Sequence, residues 1–118
     1  MAWKIRISEE AKKDCHRIEG NLRKQALAGI VKVSKAPLPS PNGYGKPLGN
    51  RHGNKLTGFF KIKYRWIGIR VVYTLVLREM VMNIVVISQR DDHICYDLAA
   101  KLYARYGDDI FKDIFENF

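Results

Sequence analysis

Cationic side chains occupy alternate positions in Lys61-Ile62-Lys63-Tyr64-Arg65, and Arg70 follows shortly after. Residues i, i+2 and i+4 of an extended strand share a face, so Lys61, Lys63 and Arg65 project together if the strand stays regular. A strand returning from a turn at Trp66-Ile67-Gly68 can set Arg70 opposite them, in a register the sequence leaves open. Beyond the next strand come Arg90, His93 and Tyr96, the last two being i, i+3 neighbours on a helix. Such a face holds anions. It also suits the cleavage of RNA, which carries its own nucleophile. A base must take the 2′-hydroxyl proton, a cation must offset charge growing on the phosphoryl oxygens, and an acid must protonate the leaving 5′-oxygen. Crowding of like charges favours the neutral amine, the form that accepts a proton. The plain alternative is a solvated, purely structural sheet face. Taken alone, His93 reads as a surface or capping histidine and Tyr96 as a packing tyrosine.

These residues need a sheet and a helix to position them, and the hydrophobic pattern supplies both. Trp3, Ile5 and Ile7 alternate with Lys4 and Arg6, which marks a short half-buried strand. Ser8 is a candidate N-cap, with Glu9 and Glu10 in the first turn of a helix running to about Ile18. Gly20-Asn21 breaks that helix, and a second, about Leu22 to Lys35, carries Leu22, Ala26, Ile30 and Val33 on one side. The stretch from Ala36 to Asn54 holds all four prolines and reads as a loop containing His52. Strands are expected at Phe59–Tyr64, Ile69–Leu77 and Val81–Ser88, the last apolar on both faces except at Asn83 and therefore central. Asp91 or Asp92 caps a third helix ending near Tyr106, and Gly107 stops it. Asp108 could cap a short final helix bearing Ile110, Phe111, Ile114, Phe115 and Phe118. The expected fold is α+β, in the order β-α-α-β-β-β-α. It has a mostly antiparallel four-stranded sheet, helices on one face, and a short helical extension over 108–118.

Composition narrows the partners. With 118 residues the chain reads as a single domain, 1–118. It carries 21 Lys and Arg against 12 Asp and Glu, a net charge of +9. That excess attracts polyanions: nucleic acid, an anionic membrane surface or an acidic protein. No apolar run approaches the ~20 residues of a membrane span, and Met1–Ser8 has no secretory h-region. Cys15 and Cys95 match no metal or disulfide spacing, which suggests free thiols in the cytoplasm. Phosphate loops, HExxH, CxxC and nucleophile elbows are absent from the sequence, so neither a metal nor a small-molecule cofactor is expected.

The segments Lys46-Pro47-Leu48, Lys55-Leu56-x-Gly58, Lys61-Ile62-Lys63, Arg70-Val71-Val72-Tyr73, and Arg90 with Tyr96 occur in one order. This order resembles the RelE branch of the RelE/ParE superfamily of bacterial toxin–antitoxin toxins over roughly 1–106. The resemblance implies a toxin that cleaves mRNA on the ribosome by metal-independent 2′-hydroxyl attack and so inhibits translation. An acidic antitoxin would neutralise it. It also implies roles. Lys61 and Lys63 match lysines near the nucleophile and phosphate, Arg70 the transition-state arginine, Arg90 the arginine at the phosphate or leaving group, and Tyr96 the proton-transfer tyrosine. His93 is a further acid or base candidate. Arg65, Lys55, Lys46 and Arg51 are expected to contact RNA or the ribosome. Asp91 and Asp92 depart from the pattern, standing where further cations often occur. A ParE-like inhibitor of DNA gyrase and a catalytically degenerate antitoxin-binding member are the alternatives within the same resemblance.

Overall fold

The computed structural model describes residues 2–51, 53–64 and 68–118, the side chains of Asn50, Arg51, Asn54 and Tyr64 excepted. Its elements in chain order are β1 (Lys4–Ile7), α1 (Glu9–His16), α2 (Gly20–Ser34), β2 (Lys46–Arg51) and β3 (Asn54–Tyr64). Then follow β4 (Ile69–Val76), β5 (Val81–Ser88), α3 (Asp92–Tyr106), a 3-10 turn (Gly107–Phe111) and β6 (Glu116–Asn117). The α+β class is as expected, and the sheet is mostly antiparallel. It has six strands rather than four, in the order β2-β3-β4-β5-β1-β6, with β1 parallel to β5.

Both extra strands lie at edges. β2 falls inside the segment read as a loop. Pro47 is tolerated there because an edge strand need not donate from every backbone nitrogen, and a register shift separates Pro47 from Gly49. β6 belongs to the tail, where a final helix was expected. Ile110 is held by tertiary contacts that helical periodicity does not register. Thr74 Oγ1 donates to its carbonyl at 2.6 Å, and Asn83 Nδ2 donates to it at 3.1 Å and to the Lys112 carbonyl at 2.9 Å. Asn83, the one polar residue of an otherwise apolar strand apart from its terminal Ser88, thus ties the tail over β5.

Helices cover both faces of the sheet, a correction to the expected single layer. All eight residues of β5 are buried, as are all of β4 except Arg70, so neither strand has a face to leave in water. The first core joins Ile69, Val71 and Tyr73 to Cys15 of α1 and to Ile30 and Val33 of α2. The second joins Leu56, Phe59, Val72 and Val86 to Tyr96, Ala99 and Leu102 of α3, with Ile110 beneath the tail. Ser8 caps α1 by accepting from the Ala11 amide at 3.0 Å, and its hydroxyl donates to the Val85 carbonyl, fastening the helix start to β5. Asp91 caps α3, accepting from the Ile94 amide at 2.9 Å.

Two residues lock strands that carry the cations. Gly58 has φ +89, and a β-carbon there would lie 2.9 Å from the Phe111 ring, so both backbone and space require glycine. Tyr73 is fully buried, stacks on Phe60 at 5.4 Å and donates its hydroxyl to the Pro37 carbonyl at 2.9 Å. Burial pushes its phenol pKa well up, so it remains a donor. Tyr73→Phe leaves a buried carbonyl unpaired and is expected to cost about 1–3 kcal/mol. Urea unfolding checks this; an unchanged midpoint would mean that water replaces the hydroxyl.

Candidate phosphate-binding site

The register brings the candidate cations together. Lys63 stands opposite Arg70, and Arg70 opposite Ser88 at the end of β5. Lys61 stands opposite Val72 on one side and Lys46 on the other. Directly opposed residues of an antiparallel pair share a face with their β-carbons about 4.5–5.5 Å apart. Lys46, Lys61, Lys63 and Arg70 therefore form one basic field. Phe60 and Ile62 point the other way, into the first core. At this end of the sheet, where α3 begins at Asp92, the Lys63 and Arg70 side chains stay partly exposed.

Lys55 is not on that field by the same alternation. Leu56 and Phe59, three residues apart, both enter the second core, so the strand changes parity across Thr57-Gly58. Lys55 is exposed on the other parity. Arg51 pairs with Asn54 at the far end of β2. Arg65 and His52 lie outside the described residues, as does most of the expected Trp66-Ile67-Gly68 turn.

Arg70 organises the site. Its Nη1 donates to the Arg90 carbonyl at 2.7 Å, fixing the start of the post-strand segment against β4. The Arg90 amide donates to Ser88 Oγ at 3.1 Å, which turns the chain at the strand end. Arg90 is exposed and borders a cleft of about 370 Å³ whose lining includes Arg17, Ile18, Ile87 and Ile94. His93 is exposed and pairs with Asp97 at 3.1 Å along α3. Tyr96 is 3% exposed. It belongs to the second core with Val72, the register partner of Lys61, so α3 seats it over the face that bears the cations.

The residue that sequence reasoning did not place here is Asp92. Its carboxylate accepts from Lys63 Nζ at 3.3 Å and from Arg70 Nε, bridging the facing cations of β3 and β4. Partial burial alone pushes the carboxyl up. The hydrogen bonds from Arg70 and Lys63, with their charges, outweigh that and hold it below the usual carboxylate range. The signal was present in sequence as an acid in an otherwise basic run, but only the strand register shows which cations it meets. Among the described residues, no three His, Cys, Asp or Glu side chains cluster as a metal site, and no helix is long and apolar enough to cross a membrane.

A basic face of this kind can hold a phosphodiester between Lys63 and Arg70, with Lys61 beside it, whereas Arg90 meets Arg70 through its carbonyl and borders a cleft that none of these three lines. Guanidinium groups bind phosphate in a fixed fork, while ammonium groups act as movable point charges and, when neutral, as bases.

No protein-family profile matches the sequence, and no curated protein is significantly similar to it. Solved structures are. An E. coli RelE toxin variant in the free state superposes with a TM-score of 0.63 at 25% identity, over 86% of this chain and 98% of that one. The intact E. coli RelBE toxin–antitoxin complex contains a chain with TM-score 0.59 and 21% identity, covering 76% of this chain and 99% of that one. A RelBE toxin–antitoxin complex from Mycobacterium tuberculosis gives 0.59 and 22%, covering 76% and 100%. In fold, and at 25% identity over nearly the whole length of one of them, the chain is RelE-like, similar to the toxins of RelBE toxin–antitoxin pairs.

Proposed function

We propose that the protein is the toxin of a toxin–antitoxin pair and a metal-independent endoribonuclease that cleaves mRNA on the ribosome. The observation that supports this most is the facing of Lys63 and Arg70 across β3 and β4, with Lys61 on the same face. The Arg70 guanidinium holds the backbone carbonyl of Arg90, which ties the segment carrying that arginine to β4. In this reading Arg70 offsets charge on the scissile phosphate and Arg90 serves the phosphate or leaving group. Lys61 and Lys63 transfer protons at the 2′-hydroxyl and 5′-oxygen. Tyr96 supports proton transfer from beneath α3. Lys46 extends the basic field, and with Lys55, Arg51 and Arg65 it is assigned to contacts with RNA or the ribosome. His93, paired with Asp97, is the reserve acid or base.

The partner is a cognate antitoxin that is acidic enough to cover a protein of net charge +9. Induction in cells followed by mapping of transcript 5′ ends tests the reading. Cuts placed at fixed positions within codons of translated messages are expected. Intact messages accompanied by DNA-damage signalling would replace it with gyrase inhibition.

A second reading draws on the burial of Tyr96 and on the carboxylate of Asp92 between two of the cations. Here the protein binds an antitoxin but does not cut. Growth unaffected by induction, together with a stable antitoxin complex, would favour it.

A further inference from the structure

The Asp92 carboxylate lies where the proposed site would hold a phosphodiester oxygen. It meets the Lys63 ammonium at 3.3 Å and is hydrogen-bonded to the Arg70 guanidinium, the two cations that face each other across the strands. A guanidinium fork accepts carboxylate and phosphate alike. Helix geometry adds to the fit, because Asp92 is the first residue of α3, where backbone N–H groups and the helix dipole favour an anion. Yet Asp92 is not the cap; Asp91 is. The side chains of Lys63, Arg70 and Asp92 are 34%, 22% and 32% exposed, so a ligand can reach all three.

A tethered carboxylate competes with incoming anions at an effective concentration in the millimolar range. Dilute RNA meets that competitor with a few phosphate contacts only. RNA already held in place by other surfaces is itself at high effective concentration and can exchange for it. Resting on the nuclease reading above, we infer that Asp92 is a specificity-determining residue, an internal anion that withholds the Lys63–Arg70 phosphate site from free RNA and yields it to RNA held by further contacts.

The test compares purified wild type, Asp92→Asn and Glu9→Gln for binding of a short single-stranded RNA with 2′-O-methyl riboses, by fluorescence anisotropy across a salt series. Glu9→Gln makes the same change in net charge at the exposed start of α1, where Glu9 pairs with Lys13 one turn along the helix. Asp92→Asn should bind about fivefold to tenfold tighter at low salt. Its salt dependence should steepen by about 0.7 in logarithmic slope for each additional phosphate that the protein neutralises. Thermal melts and an Asp92→Ser variant, which suits a helix start, guard against a folding artefact. Binding by Asp92→Asn and Asp92→Ser no tighter than by Glu9→Gln overturns the inference. If that occurs while Arg70→Ala still abolishes transcript cleavage, the nuclease reading stands and Asp92 is only a structural bridge. If Asp92→Asn binds RNA tighter but neither it nor the wild type cleaves transcripts on induction, the anion site stands and the nuclease reading falls.

Discussion

Arg70→Ala is expected to lower transcript cleavage on induction by about 10²–10³-fold, the usual cost of removing one group aimed at developing transition-state charge. The size follows from position. Arg70 is the only residue of β4 that is not buried, it faces Lys63, and it holds the Arg90 carbonyl at 2.7 Å. Its loss therefore removes a cation from the phosphate and loosens the segment that carries a second one. Folding should survive. The partners left behind, the Asp92 carboxylate of a part-buried pair and the Arg90 carbonyl, are within reach of water, so the loss should stay within about 1–3 kcal/mol. Arg70→Lys keeps the charge and loses the fork, so an intermediate rate is expected. Cleavage by Arg70→Ala at the wild-type rate, in a protein of unchanged melting temperature, would remove Arg70 from the chemistry and with it the proposed centre.

The second large effect concerns the support beneath the cations. Phe59 is fully buried two residues before Lys61, with the Tyr103 ring at 5.6 Å and the Phe111 ring at 5.7 Å. Tyr103 and Phe111 complete the triangle at 5.8 Å. One side chain on β3 thus joins the strand of the lysines to α3 and to the tail. Phe59→Ala should cost about 3–5 kcal/mol, through lost transfer energy and the cavity left among rings that cannot all collapse. A fall in melting temperature of roughly 10–20 °C would accompany it. Phe59→Leu, closer in volume, should lose less than half as much. A loss below about 1 kcal/mol for the alanine variant would show that the tail closes over the gap, and that the three rings do not brace the site.

Much of this was legible in the sequence, and each success has a local cause. Ser8 caps α1 because its hydroxyl reaches an amide three residues on, a relation contained within one turn. The alternation of Lys61 and Lys63 with Phe60 and Ile62 is a property of the extended backbone, so the division of that strand into two faces could be read directly. β5 was recognisable as central because eight residues with almost no polar atoms have nowhere else to go. The same fact implied cover on both faces, a consequence that the expected single helical layer did not take up. The ordered motifs also pointed correctly to a RelE-like chain.

What only the tertiary structure decided depends on residues distant in sequence. Register places Lys63 against Arg70, since strand pairing is settled by packing and turn geometry together. The tail looked helical by spacing. It becomes a 3-10 turn and an edge strand because Thr74 and Asn83, from two other strands, hold the Ile110 carbonyl. β2 was hidden by its proline and glycine, which an edge position tolerates. Asp92 shows the difference most clearly. Sequence alone identified it as an acid in a basic run. Folding brings it between cations 29 and 22 residues away in the chain, and so makes an apparent defect in the basic surface the anion at its centre.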